Sequence, residues 1–224
     1  MDKRDRLRIG LLGLSFVLFI GALYMIFMYV PTEREMGVVQ RIFYFHVPLA
    51  WVAFLAFFIV FLGGVVYLWK RDKKWDILAH SSGVIGVVFT SLVLITGSIW
   101  ARSAWGVWWT WDARLTSALV LWFIYVAYLL VRSLTADKER GARFAAVVGI
   151  VGFVDVPIVA LAIQVWRTQH PTPLIFEGGL EPSMLATLMV SLVAFTTFYV
   201  VLLLQRVSMR RDEEELEQLK ELLG

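Results

Sequence analysis

The chain has 224 residues, 59% of them hydrophobic and 17% charged, with a formal net charge of +3 and a mean hydropathy of +0.74. Apolar residues at this density, gathered into runs of roughly 20, exclude an ordinary soluble domain and predict helices able to cross a ~30 Å hydrocarbon layer. Cysteine is absent, which excludes disulfides and thiolate ligands; a GxxxxGK[ST] phosphate loop, a helical HExxH and the alternating segments of an outer-membrane barrel are absent too, so the chain reads as no ATPase or hydrolase. The fold class is all-α integral membrane: a six-transmembrane-helix bundle forming one domain over 1–224.

The spans fall at about 9–30, 45–69, 77–100, 115–131, 142–163 and 183–205. The first is too long for a signal peptide, and no small-residue cleavage pattern follows Val30. Segment 31–44 opens with Thr32-Glu-Arg-Glu35, which suits a capping box. Val38, Val39, Ile42 and Phe43 follow at the spacing of a short amphipathic helix on the membrane surface. His46 starts the second span, and His80 lies near the start of the third. About twenty residues separate His80 from Trp100, roughly 30 Å of helix, so His80 reads as an interfacial residue remote from Trp100. The fifth span holds Asp155, a costly intramembrane acid that reads as structural or gating, and Pro157, which frees a backbone carbonyl so that a kink is expected near it. His170 follows in segment 164–182. The tail, 206–224, is acidic with Leu216, Leu219 and Leu223 on one stripe, and suits a small separate helix.

Lys and Arg set the expected orientation. Sixteen of the 21 fall on one side: Lys3, Arg4, Arg6 and Arg8, then Lys70, Arg71, Lys73 and Lys74, then Arg132, Lys138, Arg140 and Arg143, and finally Arg206, Arg210, Arg211 and Lys220. Arg34, Arg41, Arg102, Arg114 and Arg167 fall on the other. The positive-inside rule then puts both termini in the cytoplasm and turns segments 31–44, 101–114 and 164–182 outward.

The middle outward segment carries five of the ten tryptophans in Trp100-Ala-Arg-Ser-Ala-Trp105-Gly-Val-Trp108-Trp109-Thr-Trp111, followed by Asp112-Ala-Arg114. Interfacial belt duty accounts for Trp51, Trp69, Trp75 and Trp122, since a belt needs about one anchor per helix end; it does not account for Trp105, Trp108, Trp109 and Trp111 together. An aromatic platform edged by charge suits a flat apolar ligand with anionic edges, and heme is the leading candidate. Gly106 permits close approach, Arg102 and Arg114 can pair with propionates, and Asp112 can orient an arginine or an indole. A loop-internal salt bridge is the alternative reading of these charges. His46 and His170 share the outward face with the tryptophans and are candidate axial ligands of heme iron; each alone could equally be an interfacial hydrogen-bonding residue.

The string Trp105-Gly-Val-Trp108-Trp109-Thr-Trp111-Asp112-Ala-Arg114-Leu-Thr116-Ser117 resembles the "WWD" signature of heme-handling proteins in cytochrome c maturation. With Gln40-Arg41-Ile-Phe-Tyr44-Phe-His46-Val-Pro48-Leu-Ala-Trp51 and Trp166-Arg-Thr-Gln-His170, it is similar to the CcmC (heme exporter protein C) family along nearly the whole chain. The chain is shorter than the related CcmF and CcsA proteins, which have more spans. The resemblance implies a heme-handling protein rather than an enzyme, in the bacterial inner membrane, with heme b bound at the periplasmic face. It implies Trp105–Asp112 as the heme platform and His46 and His170 as iron ligands. It also implies delivery to the heme chaperone CcmE, alongside the ATPase CcmA and the membrane partners CcmB and CcmD. A transporter moving heme or a small solute through its own bundle is the alternative reading, with Asp155 and Pro157 as its support.

Overall fold

The computed structural model describes residues 3–166, 168, 170 and 179–223. Arg167 and Gln169 lie outside them, as do residues 171–178 of the third outward segment and the terminal residues 1, 2 and 224. Among the described residues there are helices and no strand: α1 (Lys3–Tyr24), α2 (Phe43–Lys70), α3 (Lys73–Trp105), α4 (Ala113–Leu134), α5 (Lys138–Gly152), α6 (Asp155–Val165) and α7 (Pro182–Leu223). Six helical stretches are long and apolar enough to cross a membrane, with α5 and α6 together supplying one of them.

The organiser is α2, which packs on α3, α5 and α7. Its inward stripe, including Val52, Ala56, Phe57 and Val60, is fully buried. Gly86 of α3 lets the two helices close up, since a Cβ there would come within 2.4 Å of Phe57 Cε1. On its other side the Phe57 ring stacks on Tyr125 of α4, with centroids 3.6 Å apart. Helix α1 lies at the periphery against α7. A buried hydroxyl pair ties three helices: Ser82 of α3 lies 2.8 Å from the Tyr199 hydroxyl of α7 and donates to the Ala56 carbonyl of α2. In an apolar medium each such group needs a partner, so this set also fixes register.

Several local expectations are revised. Thr32–Glu35 forms no capping box; Glu33 turns its carboxylate back to the N–H groups of Glu35 and Met36, at 2.8 and 2.5 Å, and closes a turn at Gly37. These bonds hold the Glu33 carboxyl below its ordinary value of 4.5, the Met36 N–H contributing most. The expected surface helix is a 3-10 turn, Val38–Ile42, leading straight into α2. The expected kink near Pro157 is present as a break at Phe153–Val154. Pro157 falls in the first turn of α6, and the Phe153 carbonyl it cannot serve accepts from Val156 N–H at 3.1 Å. The tail is no separate helix. It continues α7 because neither Pro nor Gly interrupts residues 182–223 after the first position, and Lys73–Glu214 and Lys138–Glu217 fasten it at 3.1 and 2.6 Å.

Of the tryptophans read as belt residues, Trp69 is 80% exposed at the end of α2, whereas Trp51 and Trp122 bridge helices. Their indole N–H groups donate to Thr196 and Ser91 at 3.1 and 2.8 Å, because an N–H facing hydrocarbon requires an acceptor. Arg132, counted above as a loop cation, is half-buried in the last turn of α4 and makes a two-pronged ion pair with buried Asp76 of α3.

Candidate ligand-binding site

Helices α2, α3 and α4 separate at the tryptophan end around an open-mouthed pocket with a cavity of about 80 Å³. That cavity is smaller than small-molecule and cofactor sites, about 300–1,000 Å³, so a ligand of that size extends through the open mouth. Its walls are mostly aliphatic, with Ala50 and Ala53 from α2, Val93 and Leu94 from α3, and Leu115 and Ala118 from α4. The polar groups sit on this apolar background, where each fixes orientation more than it adds bulk affinity.

His46 lies in the first turn of α2 and is nearly buried. Its Nδ1 is 2.8 Å from Thr96 Oγ1 on α3, and its ring meets Trp100 edge-on with centroids 6.1 Å apart. His170 comes to the same pocket from the segment after α6; the two imidazole centroids are 6.4 Å apart and the rings inclined by 35°. An imidazole nitrogen about 2 Å from a metal puts the ring centroid roughly 3 Å from it, so rings on opposite sides of one metal stand about 6 Å apart. The observed spacing leaves room for one atom between the two rings.

The tryptophan segment is shaped by the ends of two helices. Gly106 closes α3 with φ +77°, a left-handed conformation that glycine adopts without strain, and its N–H reaches the Arg102 carbonyl at 3.2 Å. The Arg102 guanidinium donates to the Gly106 carbonyl, clamping the same turn from the side chain. Asp112 is the N-cap of α4, accepting from the Arg114 and Leu115 N–H groups at 3.0 and 3.1 Å and from the Thr110 hydroxyl at 2.8 Å. Between these caps, Trp109 turns inward and stacks edge-on against Trp111, with centroids 5.8 Å apart.

The structure therefore brings together His46, His170, Trp105, Trp109 and Arg114 as pocket lining. Trp108 and Trp111 lie off that lining, 60% and 77% exposed. Arg102, Gly106 and Asp112 build the loop rather than the wall. Among the described lining residues Arg114 is the one Lys or Arg, and Asp or Glu are absent. Trp100 and Trp109, both on the lining, also have buried indole N–H groups with no acceptor among the described residues.

Sequence reading missed three contributors: Trp100, Thr96 and Gly97. Trp100 belongs to the cluster itself, and its position in the last turns of α3 puts it against His46. Thr96-Gly97-Ser98, a polar break at the end of an apolar span, was the available signal for the other two. His80 lies on the same unbroken α3, twenty residues from Trp100, and does not line the pocket. Asp155 starts α6, half-buried, and its Oδ2 has no partner among the described residues.

Fold and site together define a multi-pass helical membrane protein with a bis-histidine, tryptophan-walled pocket at one end of the bundle. The model of the CcmC family, heme exporter protein C, matches residues 2–221, and the chain belongs to that family. It is 36% identical to heme exporter protein C of Bradyrhizobium diazoefficiens over 175 residues, covering 77% of this chain and 66% of that protein. It is 32% identical to the Escherichia coli K12 heme exporter protein C over 181 residues, 81% of this chain and 74% of the relative. A putative cytochrome c biosynthesis ccmC-like mitochondrial protein of Marchantia polymorpha is 31% identical over 169 residues, 75% of this chain and 72% of the relative. The chain thus spans slightly under two thirds of the first of these and nearly three quarters of the others.

Proposed function

We propose that this protein binds heme b in the tryptophan-end pocket during cytochrome c maturation and releases it to the chaperone CcmE. The observation that carries this reading is the pair of imidazoles, 6.4 Å apart, on an apolar pocket with one cation and two unspent indole donors. Heme is cargo here. Trp105 and Trp109 supply apolar and aromatic area, His46 and His170 hold the iron, and Arg114 and the indole N–H groups meet the propionates. Trp108 and Trp111, with Asp112 and Arg102 shaping their loop, form an exposed rim toward the acceptor.

The distribution of Lys and Arg supports cytoplasmic termini and a periplasmic pocket in the inner membrane. No nucleotide-binding loop occurs in the sequence, so energy for the cycle is assigned to the partner CcmA, with CcmB and CcmD completing the complex. His46→Ala and His170→Ala, each purified with CcmE, are expected to lose heme absorbance and to yield little heme-loaded chaperone. Full loading in both variants contradicts the assignment.

A second reading, passage of heme or a small solute through the bundle, draws on the α5–α6 break and on Asp155 beside it. Heme uptake by vesicles containing this chain alone supports that route; uptake only with the partner subunits removes it.

A further inference from the structure

The contact between Thr96 and His46 determines which imidazole nitrogen is free to bind a metal. Thr96 Oγ1 lies 2.7 Å from the Leu92 carbonyl oxygen and 3.2 Å from that of Val93, in the same helix. Two oxygens 2.7 Å apart need a proton between them, and a carbonyl has none to give. The hydroxyl proton is therefore committed to the helix backbone. Oγ1 then faces His46 Nδ1, 2.8 Å away, with lone pairs only, so that contact is a hydrogen bond only if Nδ1 carries the proton. In a neutral imidazole this leaves the lone pair on Nε2, which makes no hydrogen bond among the described residues.

The next residue on α3 makes the contact possible. A Cβ on Gly97 would stand 3.1 Å from His46 Cε1, the ring atom between the two nitrogens. A side chain there would crowd the ring, which would have to give by a few tenths of an ångström. Thr96 and Gly97 form one seat: the first fixes the tautomer, the second lets the ring lie against the helix.

We propose that Thr96 is a positioning residue that holds His46 in its Nδ1-protonated tautomer and so reserves Nε2 as an axial ligand of heme iron. The tautomer stands on the geometry alone, while the reservation for iron rests on the heme reading above. An acceptor on the distal N–H also makes a ligating imidazole more basic, which favours the ferric state.

Two measurements separate these layers. In heme-free protein with 15N-labelled histidine, His46 resonances identified by their loss in His46→Ala should report Nδ1–H in the wild type and in Thr96→Ser. Thr96→Val should show a tautomer mixture. Nε2–H in the wild type, or an unchanged tautomer in Thr96→Val, overturns the pinning. In heme-loaded protein, Thr96→Val should weaken heme binding about 10- to 100-fold and raise the midpoint potential, with Thr96→Ser restoring both. Binding and potential unmoved in Thr96→Val while the heme-free tautomer shifts overturn the reservation for iron. A heme spectrum indifferent to His46→Ala refutes the heme reading and leaves the tautomer result standing.

Discussion

The two ends of the bundle use polar groups in opposite ways. At the end holding the first residue of α3, Asp76 and Arg132 are buried against each other, and Lys73–Glu214 and Lys138–Glu217 fasten the α7 extension to α3 and α5. At the tryptophan end, ion pairs are absent among the described residues, helices stand apart around a pocket, and the indole N–H groups of Trp100 and Trp109 go unpaired. Histidines mark both ends, yet only His46 and His170 meet across a cavity. The contrast lies in ion pairs at one end and a histidine-lined pocket at the other, since buried polar atoms without a partner among the described residues, such as Trp75 Nε1 and His80 Nδ1, occur at the first end too.

Removing the closed end's central pair should have the largest effect on stability. Asp76→Ala leaves a half-buried guanidinium unpaired and is expected to cost about 2–3 kcal/mol, read as a large fall in the unfolding midpoint in detergent. Joint replacement by Leu and Met should recover most of that loss, and the fraction that stays folded should still bind heme. A midpoint unmoved by Asp76→Ala would place the bundle's closure elsewhere.

The open end should respond in ligand affinity. Trp109→Ala is expected to weaken heme binding by about tenfold, the worth of an aromatic contact plus lost apolar area. Trp108→Ala, off the wall, should change it by less than about twofold in a heme titration of the isolated chain. Equal losses in the two variants would extend the binding surface over the exposed rim.

Smaller still is the effect of the loop's scaffold. Asp112→Ala removes the cap of α4 and should cost about 1 kcal/mol, with faster amide exchange at Arg114 and Leu115; Asp112→Ser should restore most of it. The smallest is a pH effect at the turn before α2. Because the Glu33 carboxyl is held below 4.5, its bonds are intact above that pH and are lost as the pH falls through the lowered value. Exchange at the Met36 amide, relative to its intrinsic rate, should quicken there in the wild type and be quick at all pH in Glu33→Ala.

Much of this division was legible in the sequence. Six apolar runs marked the helices, and the cluster Trp100–Trp111 with two of three histidines marked the open end, because length and local density are one-dimensional properties. The Asp76–Arg132 pair was not legible: its partners are 56 residues apart on different helices, and only packing register brings them together. The break near Pro157 was legible, since a proline frees the carbonyl four residues before it, here that of Phe153. The split of the tryptophan motif into wall and rim depends on the left-handed turn at Gly106 and the cap at Asp112, whose joint geometry sequence spacing does not specify.

The central claim is that the open end, and not the closed one, carries the iron-binding histidines. Its most direct test is the reduced-minus-oxidised heme spectrum of the purified protein beside His46→Ala, His170→Ala and His80→Ala. A bis-imidazole spectrum lost in the first two variants and kept in His80→Ala is the predicted result. The same spectrum surviving in His46→Ala and His170→Ala, or lost in His80→Ala alone, would contradict it.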